Sequence, residues 1–508
     1  MTNSSAEPID VMLVYGTRPE AIKMAPLVHA LNHDARFRPI VAVTGQHREM
    51  LDQVNTFFGI AADIDLDIHS PGQTLTQVTT RTLEGVGRAI EDRKPDAVFV
   101  QGDTTSAFAA ALAGFYHELP VVHVEAGLRT GDIWSPFPEE GNRRLIGQLT
   151  ALHLPPTPAS KENLLREDFA SETIHVTGNT VIDALLDAVK RYVPSGDAAL
   201  DAVVSDPSRR LVLVTAHRRE SWGAPMERIG EAVARLAREH PDVVFALPVH
   251  RNPKVREALL PHVSVLSNVI VTEPLAYGAF CTVMNRADIV LTDSGGVQEE
   301  APALSKPVLV LRENTERPEA VEFGVARLVG TDSDRIVAEA SRLLDDADAY
   351  AAMAHAVNPY GDGRACQRVL AATDDRPGAL LDRRRAAREG GAEPGPGRGG
   401  EGVQGPRSCG RFKGHASSMA GAVDTNRGRD SSGRSGVTVG RQCDAFTILT
   451  ITAGTTGTGP RQYECANEGD PSGRESGNRL RPGPSPTDPA ETGRARDREV
   501  EARSRWNA

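Results

Sequence analysis

Two carboxylates, Asp103 and Glu125, each follow a short apolar run, AVFVQG and VVHV, and stand 22 residues apart. That spacing suits one βαβ step, which sets the ends of neighbouring parallel strands only about 5 Å apart. Two acids placed there would share one edge of the sheet, inside the presumed cleft, where carboxylates can serve as general acid or base. The competing role is helix capping, and for Asp103 the following Thr-Thr-Ser makes it a real alternative. Glu139 and Glu140 open the segment PEEGNRRLIGQL, where acids commonly complement a helix dipole. Adjacent residues point in different directions, so at most one of this pair faces a shared site.

Cationic groups sit at comparable positions. The first strand runs into Gly16-Thr17-Arg18-Pro19-Glu20 and on to Lys23, so a glycine turn opens a helix whose free N–H groups, with Arg18 and Lys23, could bind an anion. Thr17 and Glu20 also fit a capping box, which would occupy those amides instead. The pattern is neither G-x-G-x-x-G nor a P-loop, so the dinucleotide and ATP fingerprints do not apply. Further along, Val212–Thr215 leads to His217, Arg218 and Arg219, and His250 ends a similar run in PVHRNP. A histidine so placed can exchange a proton near neutral pH or orient a phosphate. In ADIVLTDSGGVQEEA a strand is followed by Asp293, Ser294, Gly295 and Gly296, then by a helix carrying Glu299 and Glu300. Small residues let a diphosphate approach the helix N-terminus, and a carboxylate one turn later can accept from a ribose. Arg312 and Arg317 add positive charge after the next strand.

Positioning these groups requires parallel sheets. Short β-branched runs, Val11–Tyr15, Pro39–Thr44, Ala97–Gln101 and Val121–Glu125, then Leu211–Thr215, Val243–Pro248, Val269–Thr272, Ile289–Thr292 and Pro307–Leu311, alternate with helix-like segments. Arg191–Asp206 separates the two groups. The fold class is therefore α/β, with two doubly wound Rossmann-like lobes, 1–185 and 208–357, and a central cleft at the strand carboxyl ends. A helix over 358–373 is expected to close the fold. From residue 374 to 508 the composition changes. This stretch holds 24 of the 47 glycines, and Lys413 is its sole lysine. It reads as a disordered, low-complexity tail, with one apolar island at Phe446–Ala453.

Charge and cysteines narrow the function. The first 373 residues hold 35 basic and 50 acidic side chains, which argues against nucleic acid bound over a broad face. The five cysteines show no C-x-x-C pairing, so neither a zinc site nor a disulfide framework is indicated. No run approaches the roughly 20 apolar residues that span a membrane, and the start MTNSSAEPID lacks a signal-peptide h-region. A cytoplasmic protein without membrane attachment is expected.

Taken in order, GTRPEAIKMAP, TGQHREML, QGDTTS, HVEAGLRT, FPEEGNRR, HRRES, PVHRNP, TDSGGVQEEAP and TERPEA resemble the non-hydrolysing UDP-N-acetylglucosamine 2-epimerases, over residues 9 to about 372. The resemblance implies a glycosyltransferase-B-like fold, usually a homodimer, and no metal or nicotinamide. It implies reversible conversion of UDP-N-acetylglucosamine into UDP-N-acetylmannosamine for cell-surface polysaccharide, through elimination of UDP to 2-acetamidoglucal and re-addition. By residue match it assigns Asp103, Glu125, Glu139 and His217 to catalysis, without fixing which carboxylate serves which face of C2. It assigns Arg18, Lys23, Ser294, Gly295, Gly296 and Arg317 to the diphosphate, Glu300 to the ribose and Phe280 to the uracil. Gln46, His47, Arg218 and His250 match parts of a second, activating UDP-N-acetylglucosamine site, although Glu49 stands where some members have glutamine. The rivals are a hydrolysing epimerase, a glycosyltransferase of the same fold and a non-catalytic UDP-sugar sensor. The intact Asp103, Glu125, Glu139 and His217 disfavour the last.

Overall fold

The computed structural model describes residues 7–374. The tail reading and its Phe446–Ala453 island lie outside the described residues. Twelve strands form two sheets. The first holds β1 (Ile9–Tyr15), β2 (Phe37–Val43), β3 (Ile64–Asp65), β4 (Ala97–Gln101), β5 (Val121–Val124) and β6 (Leu152–Leu154). The second holds β7 (Arg210–Thr215), β8 (Val243–Pro248), β9 (Val269–Thr272), β10 (Ile289–Thr292), β11 (Val308–Val310) and β12 (Ala326–Leu328). Their orders are β3-β2-β1-β4-β5-β6 and β12-β11-β10-β7-β8-β9, and every pairing is parallel. Read from β9, the second sheet repeats the order of the first. This is the doubly wound α/β class expected from the alternation of apolar runs. Three strands, β3, β6 and β12, are additional to the sequence reading.

The strand interiors are nearly continuous Val, Ile, Leu and Phe because helices cover both faces of each sheet. From Val11 to Tyr15, and likewise at Val98, Phe99 and Val100, exposure is 0%, so no polar side chain could be accommodated there without a partner. Each sheet reverses direction between its two central strands, β1 and β4 or β7 and β10. That reversal opens a crevice at their carboxyl ends, and the chemistry-bearing side chains fall on the turns leaving these strands and β5.

One apolar cluster runs through both lobes, from Val11 and Leu27 through Ile182 and Leu185 to Leu213 and Val310. The helix Thr180–Ala188 lies at this junction, and Thr157 of the first lobe donates across it to Glu319, 3.1 Å away. The helix Ala365–Asp374 returns to the first lobe and packs on the helices Arg18–His33 and Thr180–Ala188. Asp183 accepts from its first amides, Ala365 N at 3.1 Å and Cys366 N at 3.0 Å, which are orphan donors at any helix start. Among the described residues no helix is long and apolar enough to cross a membrane.

Candidate active site

The Arg18 helix shows how the first lobe arranges its charges. Glu20 is 1% exposed. Its carboxylate accepts from Gly16 N at 2.9 Å, from Thr17 N at 2.7 Å and from the Thr104 hydroxyl at 2.5 Å. Glu20 thus takes the two amides that precede the helix, as the capping reading expects. Arg18 and Lys23 of the helix that follows both stand on the cleft wall.

Asp103 does not cap the helix that follows it. Thr104 does so, accepting from Ala107 N at 3.0 Å. Asp103 is instead gripped by Arg143, with Nε at 2.9 Å and Nη2 at 2.8 Å. Arg143 also reaches Glu140 at 3.1 Å. Glu140 is fully buried, and takes Thr130 N and Arg144 as well. The adjacent glutamates therefore divide. Glu140 is locked into this charge cluster, whereas the half-buried Glu139 has no side-chain hydrogen bond or ion pair among the described residues.

Glu125 sits one residue past the end of β5, with φ at 65°. This is the left-handed region, uncommon for a non-glycine residue and frequent at functional sites. Gly102, with φ at 70°, turns the chain alongside, and a Cβ there would lie 3.6 Å from Glu125 Oε2. Both Glu125 oxygens meet Lys23 Nζ, at 2.5 and 2.6 Å. Gln101 donates to Oε2 and Asn179 to Oε1, the latter at 3.0 Å. Burial alone would raise the carboxyl's pKa, but Lys23 and Arg317 outweigh it and hold Glu125 below the usual carboxylate range. Burial likewise works against the Lys23 charge, and Glu125 with Glu299 more than restores it.

On the second lobe, Asp293 stands behind His217. Its Oδ2 accepts from His217 N at 2.7 Å and Arg218 N at 2.8 Å, while Oδ1 lies 3.0 Å from His217 Nδ1. A carboxylate this close to Nδ1 favours the tautomer that carries its proton there, with the lone pair on Nε2. The His217 and His250 rings stack, with centroids 5.9 Å apart. In the helix Gly295–Ala303, Ser294 makes no side-chain cap bond. The amides of Gly295 and Gly296 are therefore not taken by a cap. A Cβ at Gly296 would meet nothing within 4 Å. Arg317 donates from Nε to Glu299. Arg312 does not line the cleft, and Glu316 at 2.8 Å and Glu220 at 3.1 Å engage it.

The cleft between the lobes has a volume of ≈ 630 Å³, within the range of small-molecule sites. Of the expected residues, Arg18, Lys23, His47, His217, His250, Phe280, Ser294, Gly296, Glu300 and Arg317 line it. Glu125 lies directly behind Lys23. Gly295 and Arg218 are neighbours, since a Cβ on the glycine would lie 3.4 Å from the guanidinium. Gln46 accepts from Ser106 at 2.8 Å. Asp103 and Glu139 belong to the Arg143 side and do not line the cleft as it stands. Sequence reasoning did not single out Asn179 or Gln101 for a site role, and it named Asp293 and Glu299 only within the strand-end motif, without the partners seen here. Asn179 reads as an ordinary N-cap and Gln101 as the last strand residue, and neither carries a signal of its own.

Glu300 is 8% exposed and faces the cleft. Burial, reinforced by the neighbouring Glu299, pushes its carboxyl up to about 8 from 4.5. A group raised in this way binds its proton more tightly folded than unfolded, so its contribution to stability declines as pH rises from 4.5 towards 8. Glu300→Gln removes that decline. Its thermal midpoint should exceed that of wild type at pH 8.5 and match it near pH 5. An equal offset at both pH values would show that Glu300 is not the titrating group.

These two doubly wound lobes, closing on a cleft lined by cations and helix amides, define an α/β enzyme of the glycosyltransferase-B-like class. The UDP-N-acetylglucosamine 2-epimerase family model matches residues 29–374. The chain is 54% identical over 367 residues to the UDP-N-acetylglucosamine 2-epimerase of Escherichia coli (strain K12), a match covering 71% of this chain and 97% of the relative. It is also similar to the crystal structure of the UDP-GlcNAc 2-epimerase from Neisseria meningitidis bound to UDP-GlcNAc, with TM-score 0.66, 44% identity and coverage of 72% and 100%. The Methanocaldococcus jannaschii enzyme, in complex with UDP-GlcNAc and UDP, is similar at TM-score 0.59, 30% identity and coverage of 72% and 100%. The chain belongs to the UDP-N-acetylglucosamine 2-epimerase family and is an isomerase.

Proposed function

We propose that this chain interconverts UDP-N-acetylglucosamine and UDP-N-acetylmannosamine by inverting C2. The observation that carries the reading is the ion pair of Glu125 with Lys23, which sets a buried carboxylate against a cation on the wall of the cleft. In the forward half, a carboxylate takes the C2 proton while the C1–O bond breaks, its electron pair leaving with UDP, to give 2-acetamidoglucal. In the return half, a proton is delivered to the opposite face of C2 and the UDP oxygen re-forms the bond at C1. Asp103, Glu125 and Glu139 supply the two proton positions, with the face each serves left open. His217, its tautomer set by Asp293, stabilises the departing phosphate. Lys23, Arg18, Arg317 and the Gly295 and Gly296 amides hold the diphosphate, Glu300 the ribose, and Phe280 the uracil.

Four accompanying proposals follow from the same family pattern: a homodimer, a cytoplasmic location, a supply role for cell-surface polysaccharide, and an activating UDP-N-acetylglucosamine site. Gln46, His47, Arg218 and His250 form that site. His47 and His250 lie on the cleft wall, which supports it. Residues 1–185 and 208–357 are proposed as the two lobes, with 358–373 closing the fold, although its helix is Ala365–Asp374 and residues 358–364 form a loop.

Proton NMR of the protein with UDP-N-acetylglucosamine in D2O tests the reaction. The epimerised product should carry deuterium at C2, with traces of UDP and 2-acetamidoglucal. Retention of the original C2 hydrogen would sink the elimination route, and accumulation of free N-acetylmannosamine with UDP would favour the hydrolysing reading.

A further inference from the structure

The cluster behind the cleft contains a residue that neither the chemistry above nor diphosphate binding uses. Asn179 is 2% exposed. Its Nδ2 donates to Glu125 Oε1 at 3.0 Å in the first lobe and to Glu299 Oε2 at 2.7 Å in the second. Its Oδ1 accepts from Val181 N at 3.1 Å, capping the helix Thr180–Ala188, and its backbone N–H donates to Tyr360 O at 2.7 Å. Both side-chain polar atoms therefore have partners. The side chains are linked in the order Lys23, Glu125, Asn179, Glu299, Arg317. Each carboxylate holds one of the two partly buried cations that face the cleft, and a single amide joins the carboxylates.

We propose that Asn179 is a positioning residue that ties the Glu125 carboxylate of one lobe to the Glu299–Arg317 pair of the other, so that nucleotide binding and proton transfer share one rigid frame. This rests on the reading of Glu125 as a proton-transfer group. The physical argument is one of valence. Two carboxylates converging on one point repel unless each receives a donor, and a neutral NH2 supplies two donors from one atom. An aspartate of the same shape would add a third negative charge, and a serine hydroxyl has one proton for two acceptors. When a diphosphate draws Lys23 and Arg317 towards itself, Glu125 loses its cation but keeps Asn179 and Gln101. Its direction is then preserved while its affinity for a proton rises. The charged and titratable groups facing Glu125 are Lys23 from the Arg18 helix, His123 from β5, and Arg317 and Glu299 from the second lobe.

Asn179→Ser and Asn179→Asp in the full chain separate this role from helix capping, because both retain a good N-cap oxygen. Misplacing a reacting group by about 1 Å can cost on the order of 100-fold. For Asn179→Ser, kcat should therefore fall roughly 10- to 100-fold, with UDP affinity by calorimetry within about threefold of wild type. Losing a donor disfavours the ionised carboxylate, so the acid limb of the kcat/KM profile should move to higher pH, by about one unit. Asn179→Asp should show both effects more strongly. Turnover within twofold of wild type with an unmoved acid limb would overturn the proposal, provided Glu125→Gln is inactive. A lowered melting temperature with an unmoved limb would make the residue merely structural and also overturn it. If Glu125→Gln keeps wild-type turnover, the catalytic reading itself fails.

Discussion

Asp103→Asn, Glu125→Gln and Glu139→Gln should each lower epimerase turnover by about 100-fold or more, while UDP binding survives in all three. Inversion at C2 needs a proton removed from one face and delivered to the other, and one side chain cannot easily serve both. Each substitution keeps shape and removes the ability to carry a proton. Their side effects should differ in a way the ion pairs dictate. Glu125→Gln leaves Lys23 buried with only Glu299 nearby as a counter-charge, so it should also lower the thermal midpoint. Asp103→Asn removes one of two acids from Arg143, a milder loss. Glu139→Gln breaks no ion pair among the described residues and should unfold like wild type. Wild-type turnover in any one of the three would remove that residue from the chemical step.

The second large effect concerns Arg317→Ala, which should weaken both UDP affinity and the fold. Glu299 is 2% exposed. Without the guanidinium it keeps only the 2.7 Å bond from Asn179 and lies beside a second buried acid, Glu300. Stranding one partner of a buried pair costs about 3–5 kcal/mol. Taking a charge-assisted phosphate partner out of the cleft weakens UDP binding by about 1.5–3 kcal/mol, roughly 10- to 150-fold. The double variant Arg317→Ala with Glu299→Gln separates the two, because it removes the stranded charge without replacing the partner of the phosphate. Stability should largely return and UDP affinity should not. Calorimetry on the folded double variant that recovers wild-type affinity would show Arg317 acting only through Glu299.

The architecture was legible because parallel strands covered on both faces must read as β-branched runs, and the acids and histidine of interest interrupt those runs at their carboxyl ends. β3, β6 and β12 escaped because two or three residues carry no period. At Glu20 the sequence suggested a capping box, and the carboxylate does take Gly16 N and Thr17 N. Its third donor, the Thr104 hydroxyl 84 residues away, had no signal in the spacing. The partner of Asp103 is Arg143, 40 residues away on the helix Glu139–Leu149, a pairing no spacing rule anticipates. Asn179 carries a signal for helix initiation and none for bridging two lobes, because its second proton finds Glu299 only after both sheets are in place.

The return of the helix Ala365–Asp374 to the first lobe bears on synthesis. Domains made on the ribosome tend to fold as they emerge, amino-terminal first, but this first lobe cannot finish in that order. The apolar faces of the Arg18–His33 and Thr180–Ala188 helices, and the Asp183 carboxylate, wait for Val369, Leu370 and the amides of Ala365 and Cys366. The entire second lobe is translated in the interval. A nascent chain stalled before residue 365 therefore leaves this apolar strip of the first lobe uncovered, and the helix Ala365–Asp374 is the seal that closes it.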